Sequence, residues 1–282
     1  MALLQKGYLG ATPLFRNEDW FEDGSPVFVN KPNTVTLTAD TTAHTKGVWA
    51  QIIASTSANA SFVIFNVGTI STTATNTATL LDIAIGASGS ETIIAENIAV
   101  GGAPTASANL PSALFGFPIK LPSGTRLAAR IQSVVTGGKT GIIQTTIIDA
   151  GDYSTAPSSV DVIGSDTANS KGISFSGASG SWTQAIASTS QAYRAVALVL
   201  SMHSNDIANV NPATFEIGVG ASGSEVTFGS ARGLYQASET AQLTDPFTYL
   251  FGRNIPTGSR LAVKHNIAAN PDRYGFTLIG IP

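Results

Sequence analysis

The sequence predicts an all-β protein: two tandem, internally duplicated antiparallel β-sandwiches of jelly-roll-like type, behind an extended N-terminal arm. Three observations carry this. First, Gly86-Ala87-Ser88-Gly89-Ser90-Glu91 returns as Gly220-Ala221-Ser222-Gly223-Ser224-Glu225, and Leu121-Pro122-Ser123-Gly124-Thr125-Arg126-Leu127-Ala128-Ala129-Arg130 returns as Ile255-Pro256-Thr257-Gly258-Ser259-Arg260-Leu261-Ala262-Val263-Lys264, both displaced by 134 residues. Trp49 to Ser57 matches Trp182 to Ser190 at a displacement of 133. Anchors in one order at nearly one spacing indicate a copied domain, since solenoid and propeller units run only about 20–50 residues. Second, apolar residues alternate with a period of two in segment after segment, the pattern of half-buried strands. Third, clusters of Gly, Ser, Asn and Pro interrupt those segments at intervals of roughly 8–15 residues, as short antiparallel strands require. No segment sustains the i, i+3, i+4, i+7 spacing of an amphipathic helix.

Taken in order, residues 1–36 form the arm, 37–150 the first sandwich, 151–162 a linker and 163–282 the second sandwich. The arm carries an acidic, aromatic knot, Glu18-Asp19-Trp20-Phe21-Glu22-Asp23. Two readings are open for it: packing on its own first domain, or docking on a neighbouring subunit with Trp20 and Phe21 as anchors, because aromatics are over-represented among interface hot spots. From Thr34 onward Val35, Leu37 and Ala39 alternate with threonines. Ser61–Val67 is a β-branched and aromatic run, Leu81–Ile85 ends at the Gly-Ala-Ser-Gly-Ser turn, and Gly141–Ile148 closes the first copy. Arg126 to Gln132 places Leu127, Ala129 and Ile131 on one face and Arg126, Ala128 and Arg130 on the other. In the second copy Ala195–Leu200 and Tyr274–Gly280 replace the second and last of these strands. Ala43–Gly47 resembles Ala168–Gly172, which leaves Gly177–Ser181 as an insertion.

Composition narrows the function. Charged residues make up 12% of the 282, half the share of an average soluble domain at about 25%, which suits a rigid structural surface or one largely covered by partners. A net charge of −3 without a basic run argues against nucleic acid, whose binders show clustered Lys and Arg. The absence of cysteine removes disulfides, zinc–thiolate sites and thiol nucleophiles. No apolar stretch reaches the roughly 20 residues of a membrane span, and the N-terminus lacks a basic-then-apolar leader. Assembly in a cytoplasm, with no membrane partner, is the expectation.

The retained motifs read as turns. Gly86, Gly89, Gly124, Gly220, Gly223 and Gly258 supply backbone with φ above zero, and the proline of Pro-x-Gly-x-Arg is expected at the second turn position, where its fixed φ suits the bend. The arginines that follow, Arg126 and Arg260, are expected to be exposed and unpaired, with a partly buried pairing to Glu91 and Glu225 as the alternative. Gly-Ala-Ser-Gly-Ser lacks both the Gly-x-Ser-x-Gly spacing of a nucleophile elbow and the lysine of a phosphate loop. His44 is expected to be solvated in a polar loop and His265 half-buried and hydrogen-bonded. No histidine groups with an acid and a nucleophile, so no catalytic residue, cofactor or metal is assigned. Asp149, Asp152 and Asp161 are the weak calcium candidates, hard oxygen ligands in loop-like sequence.

A cysteine-free, Thr/Ala/Ser/Gly-rich, charge-poor β protein with Ile-Gly-Ala-Ser-Gly-Ser-Glu and Pro-x-Gly-x-Arg-Leu-Ala-x-(Arg/Lys) resembles virion structural proteins of tailed bacteriophages, over residues 40–150 and 172–282. The resemblance implies a non-enzymatic, multi-copy component located in the virion. Within it the preferred expectation is a head decoration or cement protein that bridges neighbouring subunits of the major capsid protein or other virion proteins, with self-association as a trimer or ring. The alternative is a tail or baseplate component, or a receptor- or carbohydrate-binding module, for which Tyr235 and Tyr249 are the candidate glycan contacts. They stand in a second copy that holds tyrosines where the first has none.

Overall fold

The computed structural model describes residues 27–28, 33–68, 78–101, 111–149, 153–175, 178–202, 211–235, 249–267 and 274–282; Trp20, Phe21 and the rest of the arm before residue 27 lie outside them. The first half contains β1 (Val27–Phe28), β2 (Asn33–Thr38), β3 (Ala50–Ile53), β4 (Ala60–Gly68), β5 (Thr79–Ile85), β6 (Thr92–Ala99), β7 (Pro111–Leu121), β8 (Leu127–Ser133) and β9 (Thr140–Asp149). The second contains β10 (Asp161–Ile163), β11 (Ser165–Asp166), a 3-10 turn at Thr167–Asn169, β12 (Lys171–Ser174), β13 (Trp182–Ile186), β14 (Tyr193–Met202), β15 (Asn211–Val219), β16 (Val226–Tyr235), β17 (Tyr249–Ile255), β18 (Leu261–His265) and β19 (Tyr274–Ile281). The all-β, antiparallel expectation holds.

The topology follows from one pairing rule used twice. In the first half β5 pairs β6, β4 pairs β7, β3 pairs β8 and β2 pairs β9. The chain is therefore a long antiparallel ribbon doubled back on itself, with the Gly86–Glu91 turn at its tip. Rolling that ribbon deals its strands alternately into two sheets, β2-β9-β4-β7 and β3-β8-β5-β6. The second half repeats the rule as β12-β19-β14-β17 and β13-β18-β15-β16, with Gly220–Glu225 at the tip. Eight strands in two facing sheets laid down in this way are a jelly roll.

The side-chain period sorts each strand. Leu37, Val63, Phe65, Val67, Phe115, Phe117, Ile143 and Ile147 from one sheet meet Ile52, Leu81, Ile83, Leu127, Ala129 and Ile131 from the other in a single apolar core. Phe65, Phe115 and Phe117 lie with ring centroids 5.4–6.4 Å apart, within the range in which aromatic pairs attract beyond their buried area. The second core gathers Val196, Leu198, Phe215, Ile217, Leu261, Val263, Phe276 and Leu278. All six glycines of the repeated turns have positive φ, from +81° at Gly223 to +134° at Gly220, a region that side chains with a Cβ avoid.

Two sequence readings need correction. The N–H of Thr125 donates to the carbonyl of Pro122, and that of Ser259 to Pro256. Each proline is thus the first residue of its turn, not the second, and Gly124 or Gly258 occupies the third position, where positive φ is required. Gly47 N–H donates to Ile131 O just as Gly180 N–H donates to His265 O. Residues 178–181 are therefore the counterpart of the segment before β3 rather than an insertion, and Ala168–Gly172 belongs to a different place, ahead of and into β12.

Candidate functional site

The two sandwiches meet along an apolar seam. β6 and β7 are the edge strands on one side of the first sandwich, and an open edge is a template for unwanted pairing. Here the outer face of β14 and β19 closes it. Ala195, Ala197, Val199, Ile279 and Ile281 point away from their own core and join the core of the first sandwich, so that all eight residues of β19 are buried. Main-chain groups are satisfied across the seam as well. Val160 N–H donates to Ile94 O at 2.9 Å, Ala99 N–H to Thr277 Oγ1 at 3.2 Å and Ser165 Oγ to Asn97 O at 2.8 Å. The linker adds Lys120 N–H to Pro157 O at 2.7 Å, with the Lys120 ammonium over the Tyr153 ring. The signal for this seam was present in the sequence. Ala195–Leu200 and Phe276–Ile281 are nearly continuous apolar runs, which is how strands covered on both faces read.

Beside the seam a carboxylate is fully buried. Asp82 of β5 accepts from Lys46 Nζ at 2.5 Å, from Arg130 Nε at 2.9 Å and from the Asn97 N–H at 2.8 Å. Lys46 Nζ also contacts Asn97 Oδ1, and the Arg130 guanidinium lies 4.3 Å over the Trp49 ring. Asn97 reaches Asp82 from a left-handed backbone, φ +63°, at an irregularity in the β5–β6 register. Such residues collect where β-bulges re-aim a strand. The second copy keeps the design with longer and shorter members exchanged: Glu216 pairs with Lys264 at 2.9 Å, and Lys264 stacks on Trp182 at 4.9 Å. Lys264, first, and the Thr227 hydroxyl hold the Glu216 carboxyl below the usual carboxylate range against the opposing effect of burial. These pairs were missed in the sequence, although acid, base and tryptophan each recur at the repeat spacing.

The arginines of the repeated motif are not the exposed, unpaired side chains expected; the alternative pairing is the one found. Arg126 Nη1 donates to Glu91 Oε1 and to Gly86 O, each at 3.0 Å, and its Nε donates to Gln51 Oε1 at 3.1 Å. Glu91 Oε2 in turn accepts from Gly89 N–H at 3.0 Å. Arg260, Glu225, Gly220, Gly223 and Gln184 repeat the clamp bond for bond. Burial would raise the two glutamates, but main-chain N–H donors and the facing arginine outweigh it and hold both carboxyls low. The clamp ties the ribbon tip to the turn before β8 or β18, a structural task, which explains its retention in both copies.

The remaining candidates disperse. His44 is exposed, with Nδ1 3.0 Å from Ser170 Oγ. His265 is 1% exposed rather than half-buried; its Nδ1 accepts from Ile267 N–H, its ring lies 5.0 Å from Phe175, and burial pushes its pKa down. Asp161 is engaged by Tyr193 Oη at 2.6 Å and Gln191 Nε2 at 2.9 Å. Burial, and then that carboxylate, raise the Tyr193 phenol well above its ordinary value. Asp161 and Tyr193 lie on a cleft of about 620 Å³ beneath β6, with Ile93, Ala95, Glu96 and Ser190 among its lining. Asp152 lies outside the described residues, and among those described no three His, Asp or Glu side chains gather as a metal site requires. Tyr235 ends β16 and Tyr249 opens β17; their side chains lie outside the described residues.

No protein-family model and no curated protein matches the sequence. Among solved structures the chain is similar to the STIV MCP, a viral major capsid protein, at 10% identity over 89% of this chain and 96% of that one, with a TM-score of 0.36. It is also similar to PNGF-II, at 9% identity over 90% of this chain and 65% of that one, TM-score 0.40. A third is PNGase F, a glycosylasparaginase from Flavobacterium meningosepticum, at 10% identity over 88% of this chain and 96% of that one, TM-score 0.29.

Proposed function

We propose that this chain is a non-enzymatic structural protein of a virus particle, used in many copies. One observation carries the reading: two jelly rolls are fused through an apolar seam into a single block, with β19 buried on both faces. Jelly rolls of this kind build viral capsid and lectin domains. A chain with only 12% charged residues, some of them spent on the internal ion pairs of Asp82, Glu91, Glu216 and Glu225, suits burial against neighbours, since interface cores are depleted in charge. Within this reading the geometry favours a tile that meets copies of itself over a cement laid across another protein's lattice, because the contact joining the two halves is itself of a repeatable edge-to-face kind. The test is the copy number and position of the chain in purified particles, by quantitative mass spectrometry and electron microscopy. Hundreds of copies forming the shell are expected for a tile. The same number seated on a separate shell protein would restore the cement role, and a few copies at a tail tip would refute both.

The cleft beneath β6, with carboxylate, hydroxyl and phenol groups on its walls, favours a second reading, a carbohydrate-binding module. Glycan binding by the purified chain, lost on changing Glu96 or Ser190 of the cleft wall to alanine, would support it; loss only on changing Tyr235 or Tyr249 would separate glycan binding from the cleft.

A further inference from the structure

The duplication repeats both surfaces of the seam, and among the described residues the second pair of surfaces is left open. The covered edge, β6–β7, has its repeat in β16–β17. The covering face, β14–β19, has its repeat in the outer side of β4–β9. Strand register fixes the correspondence. Val199 stands opposite Thr277 and Asn66 opposite Gln144, so the Thr277 hydroxyl that accepts from Ala99 corresponds to the side chain of Gln144. Leu81 stands opposite Ile98 and Phe215 opposite Ala231, which makes Arg232 the counterpart of Ala99. Phe28 stands opposite Ile148. Asp161 stands opposite Gly280, placing Val160 at the level of Ile281, so Phe28 occupies in the first sandwich the place that Val160 occupies in the second.

Exposure separates the covered pair from the open one. Ile94 is 1% exposed and Ala95 buried, whereas their counterparts Phe228 and Gly229 are only half-buried. Val199, Thr277 and Ile279 are buried, whereas their counterparts Asn66, Gln144 and Thr146 are half-buried. We infer that the two open surfaces are mates: the β16–β17 edge of one copy seats on the outer β4–β9 face of a second copy of this chain, head to tail, as β6–β7 seats on β14–β19 within the chain.

Two features select that occupant. The edge and face already fit one another in the covered seam. The exposed face has exchanged Val199, Thr277 and Ile279 for Asn66, Gln144 and Thr146, the polarity of a surface that must be soluble before its partner arrives. A heterologous contact of this kind closes into a ring or runs on as a filament, according to its rotation.

The inference rests on the tile reading only in taking copies to meet. Because the chain lacks cysteine, two single-cysteine variants test it directly: Gln144→Cys on the face and Ser230→Cys on the exposed part of the edge, each checked for folding by its thermal melt. Mixed and treated with a short bismaleimide, they should give a covalent dimer that neither gives alone, and that Val48→Cys, 81% exposed, does not give with Gln144→Cys. Hydrogen exchange on the unmodified chain supplies a second readout: amides of β16 and β17 should gain protection as concentration rises. Oligomers or particles that form without the cross-link and without that protection would overturn the head-to-tail contact while leaving the tile reading intact. A chain that stays monomeric in concentrated solution and is absent from particles would overturn both.

Discussion

Replacing Asp82 by alanine sets up a comparison inside one molecule, because the same place in the repeat is held by Glu216. Asp82 has a fully buried side chain, and its partners Lys46 and Arg130 each keep 22% of theirs exposed. Removal strands two cations and the Asn97 N–H around an emptied site. Breaking a buried, hydrogen-bonded ion pair costs about 3–5 kcal/mol. Glu216 and Lys264 are 33% and 26% exposed; solvent screens such a pair, and its removal is expected to cost only about 0.2–1 kcal/mol. At roughly 2–4 °C per kcal/mol for domains of 150–250 residues, Asp82→Ala should lower the Tm by about 10 °C and Glu216→Ala by about 4 °C at most. Guanidinium titrations at pH 7 give the comparison directly, as a shift in midpoint at unchanged slope. Equal losses in the two variants would refute the argument from burial, and a loss of under about 1 kcal/mol for Asp82→Ala would show that the site rehydrates.

Further predictions follow from individual contacts. His265 is held neutral by burial, so its folded pKa lies below the ordinary 6.5; the unfolded chain takes up a proton first as pH falls, and stability should drop below pH 6.5 by up to about 1.4 kcal/mol per pH unit. His265→Ile, which installs the residue of the first copy (Ile131), should remove that slope in denaturant midpoints measured from pH 7 to 5. Glu91 and Glu225 have lowered pKa values, so their contribution is present above the ordinary 4.5 and is lost as pH falls through the folded pKa; the double variant Glu91→Gln/Glu225→Gln should flatten the acid limb of the stability curve. A Cβ at Gly172 would stand 2.5 Å from the Phe276 carbonyl oxygen, so Gly172→Ala should destabilise by about 1–3 kcal/mol through overpacking. At Gly258 the nearest atom is 3.9 Å away, and Gly258→Ala should cost only the left-handed backbone strain of about 1–2 kcal/mol, read from the same titrations.

Most of the fold was legible because its signals are local. The Gly-Ala-Ser-Gly-Ser turns, the alternation of Leu127, Ala129 and Ile131, and the threonine-studded opening strand each report a period of two or a required φ within a few residues. The Arg126–Glu91 clamp was legible only as an alternative, since the two residues are 35 apart in sequence and nothing in either neighbourhood states that the tip folds back on the β7–β8 turn. Asp82 illustrates a different limit. Its partners Lys46, Asn97 and Arg130 come from three separate segments, and the bulge that turns the Asn97 N–H inward leaves no mark in composition. The misplacement of Ala168–Gly172 came from a short likeness in letters, which the hydrogen bonds of Gly47 and Gly180 overrule. The fixed φ of Pro122 and Pro256 is compatible with either turn position, and only the bonds to their carbonyls decide between them.

The doubled ribbon also sets an order of assembly in time. Its tip hairpins, β5–β6 and β15–β16, close loops of a few residues, whereas β2–β9 and β12–β19 join segments about a hundred residues apart, and the entropy of closure grows with that separation. Each half is therefore expected to zip from the tip outward, leaving β19, the strand that both halves share, among the last to be protected in pulse-labelled hydrogen exchange. Early protection of β19 would contradict this. A late β19 would mean that each half commits to its own shape before it can join the other, which lowers the risk that two ribbons of the same topology exchange strands during synthesis.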